Sequence, residues 1–512
     1  MSAYWHQFAI ARITRHTHAG KRTMSAVPNL ITRQSGLEFW MGRVLQECDQ
    51  VAVAFAPDPV HDLRVALRRC RSLADGMMKI DAHPAWKRMK KSGKRLFSCL
   101  GELRDSQVMA DWIRELDLAE DLTGQELLAL ASTAEVNARR KVLEELNLLD
   151  RERWDAWRGL LTARASKVPL DSVVFKHLAL ERWAEGYELH KRALRNRTQA
   201  AYHQLRIGIK RFRYTVENFL PKLHASWEND LKQLQDALGE VHDLDILLAA
   251  ASRTHSFSGD QERTEWREHV QLERGRRLEK YRQKMVGRDS LWQQWRESFP
   301  QGEEIEQVAR ERLDLWASFL DPDPEKTNSS ARLTMQLYDG LSSLAKHIPS
   351  SARRTLELAA TLRNVGRGKR LTRYHKVSAR MIRRLDLPLG LQRDEVEMAA
   401  LVVRYHRGGL PRPEKRRVAS LSKRKKFLFI FLTGVLRFST CVDRLSSGPI
   451  RRLTVSDGGG FLAVQVHGRL QRERSWERLA AARFLLEAAC RKPIQLLPAQ
   501  VQWIADAGAT AR

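Results

Sequence analysis

The stretch HDLRVALRRCR, residues 61–71, decides how this chain folds, because it returns as HQLRIGIKRFRY at residues 203–214. Both copies read His-x-x-Arg-x-x-x-(Arg/Lys)-Arg-x-Arg. On a helix turning roughly 100° per residue, positions 61, 64, 68 and 71 fall within roughly 80° of arc, and so do 203, 206, 210 and 213. A row of cations is costly to bury, whereas Leu63, Val65, Ala66 and Leu67 on the rest of the turn can pack inward. Each copy therefore predicts a helix with a basic stripe suited to gripping a polyanion.

The echo continues downstream. LGELRD at residues 100–105 answers LGEVHD at residues 238–243, at a similar distance from the motif histidine in each half. Two motifs repeated in the same order point to an internal duplication of a helical unit.

These paired segments resemble the CHAD family, over residues 35–320. The resemblance implies an all-α domain of two pseudo-symmetric four-helix bundles, whose basic cavity binds inorganic polyphosphate. Carried onto this sequence, it places polyphosphate on His61, Arg64, Arg68, Arg69 and Arg71, and on His203, Arg206, Lys210, Arg211 and Arg213. A further one-faced run, Lys87, Lys90, Lys91 and Lys94, leads into LGELRD, and only Lys232 answers it in the second half. Lys90, Lys91, Lys94 and Lys232 complete the expected binding set. The plainer reading of such runs, a solvated basic face, is weakened by their duplication. Asp105 and Asp243 read as caps or partners of a nearby arginine in preference to metal ligands.

Composition narrows the partners. Lysine and arginine number 89 against 61 aspartate and glutamate, a net charge of +28 and a pI near 10.3. That excess draws polyanions from a distance, which admits nucleic acid, anionic membrane and polyphosphate. With 512 residues, 43% of them hydrophobic, the chain can bury several cores. Cys48, Cys70, Cys99, Cys441 and Cys490 form no CxxC pair, so neither a disulfide framework nor a zinc knuckle is expected, and a cytoplasmic setting fits. The longest apolar run, FLFIFLTGVLRFSTCV at residues 427–442, is short and interrupted by Arg437, and it predicts a buried helix. Tryptophans such as Trp154, Trp157, Trp292 and Trp295 fall on helical patterns and predict packing in preference to base stacking.

Residues 1–34 read as a basic, disordered extension, with Met24 an alternative start. Helical periodicity then runs to residue 319, with proline-bearing breaks at 57–59, 82–84, 167–169 and 220–221. DPDPEKTNSS, residues 321–330, predicts an exposed linker, and residues 331–512 a second domain. Within it VSDGGGFLAVQVHG, residues 455–468, predicts a hairpin turning at Gly458 to Gly460, followed by a helix over 475–489.

LELAATLRNVGRGKRLTRYHKVSARMIRRLDLPLGL at 356–391, ALVVRYHRG at 400–408 and LRFSTCVDRL at 436–445 resemble the C-terminal HD-type domain of the exopolyphosphatase and guanosine pentaphosphate phosphatase family. Where that family's pattern has the metal-binding His-Asp pair, this sequence has Arg363 and Asn364. A guanidinium has no lone pair to give a metal and an amide is a weak ligand. His375, His406 and Asp443 remain, but without the pair the resemblance implies a degenerate, non-catalytic HD-like module with no metal and no cofactor. Arg363, Arg367, Lys369, Arg370 and Arg373, with the basic block at 412–426, favour phosphate oxygens over a metal ion. The family's actin-like phosphatase domain has no counterpart here.

The expected function is polyphosphate binding through a basic groove between two helical bundles, with localisation to polyphosphate granules implied by the first resemblance. Two alternatives come from other classes: an HD-type phosphohydrolase using His375, His406 and Asp443, and a non-specific nucleic-acid binder. Oligomeric state and the start codon stay open.

Overall fold

A computed structural model of the chain describes residues 36–115, 122–251, 260–344, 348–349, 351–446, 448–469 and 476–498. The expected N-terminal extension lies outside these residues. The chain divides into two compact units, Met1–Val308 and Ala309–Arg512. The architecture is almost wholly helical, with one small sheet near the C-terminal end.

The first unit opens with α1 (Leu37–Ala54), α2 (Pro57–Met77), α3 (Pro84–Ser92), α4 (Lys94–Glu115), α5 (Leu122–Asn147) and α6 (Arg151–Ala165). Its second half holds α7 (Val173–Asn196), α8 (Gln199–Phe219), α9 (Pro221–Ala251), α10 (Asp260–Met285) and α11 (Leu291–Glu297). Proline breaks fall where the sequence put them: Pro57 and Pro84 occupy the first turn of α2 and α3, where a missing N–H leaves no bond unmade. Thr198 caps α8 by accepting the amide of Ala201 at 3.2 Å.

Along α2, Leu63, Ala66, Leu67, Cys70 and Ala74 are buried, and along α8, Leu205, Ile209, Phe212 and Val216 are. These positions recur every three or four residues, so each motif helix buries one face and keeps its basic stripe off the core. Trp154 and Trp86 fill the first half; their indole N–H groups donate to Met41 O at 3.0 Å and to Asp81 Oδ2 at 2.8 Å. Trp292, Trp295, Phe212 and Phe299 form the aromatic centre of the second half.

The helix α12 (Glu303–Ser318) carries the division between units, and its Leu313 and Trp316 join the second unit's core. That core is shared by α13 (Pro324–Leu344), α14 (Ser351–Leu362), α15 (Tyr374–Arg383), α16 (Arg393–Tyr405), the single turn α17 (Arg416–Ala419) and α18 (Lys423–Leu445). The apolar run is indeed the buried helix α18. At its Gly434 the backbone of α19 (Trp476–Cys490) comes close: a Cβ there would stand 2.8 Å from the Leu486 amide nitrogen. The expected hairpin is β1 (Arg452–Asp457) paired antiparallel with β2 (Leu462–His467), with Leu453 opposite Val466. A strand the sequence did not suggest, β3 (Ile494–Pro498), adds parallel to β2.

The expected linker at 321–330 is corrected by the structure. Asp323 Oδ1 accepts the amide of Lys326 at 3.2 Å, Pro324 opens α13, and Thr327, Ser330 and Ala331 are buried. Acid, proline and small polar residues here spell a capped helix start, and the same letters serve an exposed linker. Among the described residues, no helix is long and apolar enough to cross a membrane.

Candidate functional site

In the first unit the two motif helices pack directly on one another, α2 against α8. Their C-terminal halves interlock: Asn218 Nδ2 donates to Ser72 Oγ at 3.0 Å, and the ring of Phe219 lies on Gly76, where any Cβ would overlap it. Arg68 of the first stripe lies over the ring of Tyr214, 5.6 Å from its centroid, and Tyr214 follows directly on Arg213 of the second stripe. The first stripe thus comes alongside the C-terminal half of the second motif helix.

Each stripe rests on the LGE helix of its own half. The Arg64 guanidinium donates to Phe97 O at 3.2 Å and stacks 4.7 Å from the Phe97 centroid. It passes so close to Gly101 that a Cβ there would come within 2.6 Å of Nη1, which explains the first motif glycine. Gly239, its counterpart, faces open space, so the copies are not equivalent here. Burial pulls the Arg64 guanidinium below its ordinary value, and the Asp105 carboxylate opposes it, so Asp105 acts as an arginine partner. The side chain of Asp243 lies outside the described residues. Arg71 donates to Lys90 O at 3.1 Å, while Arg213 donates to Gln235 Oε1 at 2.9 Å.

The LGE glutamates, which sequence reasoning left without a role, do the same work in both halves. Glu102 pairs with Lys141 of α5 at 2.8 Å, and Glu240 pairs with Arg277 of α10 at 3.2 Å. Each ties its helix to the next. The rings of His203 and His242 stand 4.8 Å apart, where the first copy has His61 and Arg104.

The remaining candidates divide by environment. Arg69 is ion-paired with Glu217 and lies over Trp40, Arg211 pairs with Glu185 at 2.8 Å, and Lys90 pairs with Asp75. At roughly 100° per residue, positions 69 and 211 sit about 100° away from their stripes, so these two arginines turn toward neighbouring helices. His61, Lys91, Lys94 and Lys232 are exposed, and Arg68, Arg206 and Lys210 are half-buried. The Nε atoms of Arg68 and Arg206 are buried and make no hydrogen bond within the protein.

In the second unit the remnants of the HD pattern do converge. The rings of His375 and His406 are 6.2 Å apart, edge to face, with Tyr374 6.1 Å from His406. Arg363 is buried among them; it donates to Thr327 O at 3.3 Å and to Ala360 O. Burial pulls its guanidinium down to about 10, while Tyr374, Asp321 and Asp443 oppose the shift. Asn364 donates to Thr327 Oγ1 at 2.7 Å, and that hydroxyl donates to Asp321 Oδ2 at 2.5 Å. A fixed positive charge therefore stands where a cation-binding centre would need donors, and the residues present do not fit a metal ion. No group of three or more metal-ligating side chains occurs among the described residues.

Both histidines are held neutral. Burial, then the charges of Arg404, Lys376, Arg407 and Arg437, push His375 down to about 4. Burial pushes His406 well below its ordinary value, although its Nδ1 sits 2.7 Å from Val403 O. Tyr374 Oη accepts from Arg444 at 3.1 Å and from Arg407 at 3.4 Å.

No curated protein matches the chain. Residues 42–252 match the family model described as the CHAD domain, and residues 321–459 match the one described as Ppx/GppA phosphatase, domain III, so this chain joins a CHAD domain to a Ppx/GppA domain III.

Proposed function

We propose that the protein binds inorganic polyphosphate through the paired stripes of α2 and α8, and that the second unit has no metal-dependent activity and serves as an accessory polyanion-docking surface. The observation that supports the first part is the contact between Arg68 of the first stripe and Tyr214, the residue next to Arg213 of the second. Guanidinium groups bridge two phosphate oxygens, so the half-buried Arg64, Arg68, Arg206 and Arg213 suit a repeating phosphoanhydride chain. Binding is multivalent charge neutralisation: each contact is modest, and release of condensed counterions supplies much of the affinity.

The second part is supported by Arg363, whose buried guanidinium stands beside His406 and in the field of Asp443. A phosphohydrolase built on His375, His406 and Asp443 would have to hold a divalent ion against that charge. The test is direct binding of long-chain polyphosphate by the purified full chain, with RNA and DNA as competitors. The proposal expects polyphosphate to displace both nucleic acids; preferential retention of RNA or DNA would transfer the function to nucleic acid. Stoichiometric manganese, iron or zinc in the purified protein would overturn the metal-free reading.

A further inference from the structure

The second unit carries a set of cations with no ion-pair partner among the described residues. Arg370, Arg373, Lys376 and Arg407 are exposed and Arg404 is half-buried, all at the start of α15 and the end of α16. The two ends adjoin: Arg407 lies 5.5 Å from the centroid of Tyr374, and a Cβ on Gly408 would stand 3.4 Å from His375 Nε2. Gly408 adopts φ +83°, so a residue without a Cβ is what lets the chain turn this tightly over the histidine. Arg373 itself sits at φ 55°, a conformation rare for an L residue, and caps nothing with its side chain.

Among the described residues, no carboxylate lies within ion-pairing distance of these five side chains. Other cations of this unit do have carboxylate partners: Arg383 with Glu397 at 3.3 Å, Lys425 with Asp394 at 2.8 Å, Arg353 with Asp339 at 2.9 Å. The cluster is close enough to act on itself, since Arg404 first, then burial, Arg373 and Arg370 lower the Lys376 ammonium below its ordinary value. Like charges left facing one another favour an anion that can bridge them.

We propose that Arg370, Arg373, Lys376, Arg404 and Arg407 form a discrete binding site for the terminal, doubly charged phosphate of an inorganic oligophosphate. This deepens the accessory role proposed for the second unit and rests on that reading. The geometry suits a chain end better than a nucleotide. The two nearest aromatic rings are already engaged by the fold: Tyr374 is buried with its hydroxyl held by Arg407 and Arg444, and Tyr405 has Arg404 5.1 Å and Phe429 5.7 Å from its centroid.

The test uses the full chain with its first-unit stripes disabled (R64S/R68S/R206S/K210S), titrated calorimetrically with tripolyphosphate, ATP and long-chain polyphosphate. Tripolyphosphate binds this protein, and adding R370S/R373S/K376S weakens it about tenfold or more and lowers the salt slope by about two to three. The three side chains are exposed, so the added substitutions leave the melting temperature unchanged, and R370K/R373K restores most of the affinity. Unchanged tripolyphosphate affinity after R370S/R373S/K376S overturns the proposal. ATP binding well above tripolyphosphate overturns the inorganic assignment. Long-chain binding unaffected by the stripe substitutions would instead sink the first-unit reading and leave this site standing.

Discussion

Lowering the pH should unfasten the second unit at His375. The ring is buried, its Nδ1 has no hydrogen-bond partner, and four cations face it, so it stays neutral down to about 4. In the unfolded chain the same imidazole protonates near its ordinary value, about 6.5. Between these values the unfolded state holds the extra proton, and stability falls as pH falls through this window. Each pKa unit is worth about 1.4 kcal/mol, so the loss from His375 reaches about 2 to 3 kcal/mol by pH 4.5. His406 shifts in the same direction and adds to it. The assay is amide hydrogen exchange of α15 and α16 from pH 7.5 to 4.5, in the wild type and in His375→Gln. Glutamine cannot titrate, so the variant starts weaker and the gap closes by about 2 to 3 kcal/mol as the solution is acidified. Parallel curves would refute the reasoning, because they would mean that the imidazole exchanges its proton as freely folded as unfolded.

Other substitutions test other parts. Asp81 is fully buried and accepts from Trp86, from the His83 amide at 3.0 Å and from two nitrogens of Arg164 at 2.6 and 2.7 Å. Asp81→Ala strands these donors and should cost about 3 to 5 kcal/mol in urea unfolding. Arg363→Met keeps the buried stem without the charge, whereas Arg363→Ala opens a cavity, so the alanine variant should be less stable by about 2 kcal/mol at equal denaturant. Gly434→Ala drives a methyl into the backbone of Leu486 and should cost several kcal/mol, roughly the overpacking penalty, while Gly239→Ala, in open space on a helix, should gain up to about 1 kcal/mol by thermal melting.

Much of this architecture was readable because it is local. The stripes follow from residue spacing, the helix ends from Pro57, Pro84 and Pro221, and the hairpin from Gly458 to Gly460 between alternating strands. What escaped depended on partners distant in sequence. Glu102 and Glu240 acquire their role only when Lys141 and Arg277 come alongside, and Arg69 finds Glu217 148 residues away. The strand β3 is a five-residue run that becomes a strand because β2 offers it an edge. DPDPEKTNSS misled because a linker and a capped helix start use the same residues, and the buried Thr327 that decides between them is silent in sequence. In the second unit, the replacement of the His-Asp pair by Arg363 and Asn364 was legible, but the cluster of Arg370, Arg373, Lys376, Arg404 and Arg407 needed the α15 and α16 ends to be placed together.

The central claim is that two duplicated basic stripes grip polyphosphate, and its most direct test is the salt dependence of long-chain polyphosphate binding by wild type and by R64S/R68S/R206S/K210S. Each lost phosphate contact should lower the slope of log K against log salt by about 0.7 to 0.9, so four lost contacts remove about two decades of the affinity change between 50 and 200 mM salt. The account predicts tight, steeply salt-sensitive binding in the wild type and a shallower slope in the variant. Binding that ignores salt, or a variant whose slope and affinity match the wild type, would contradict it.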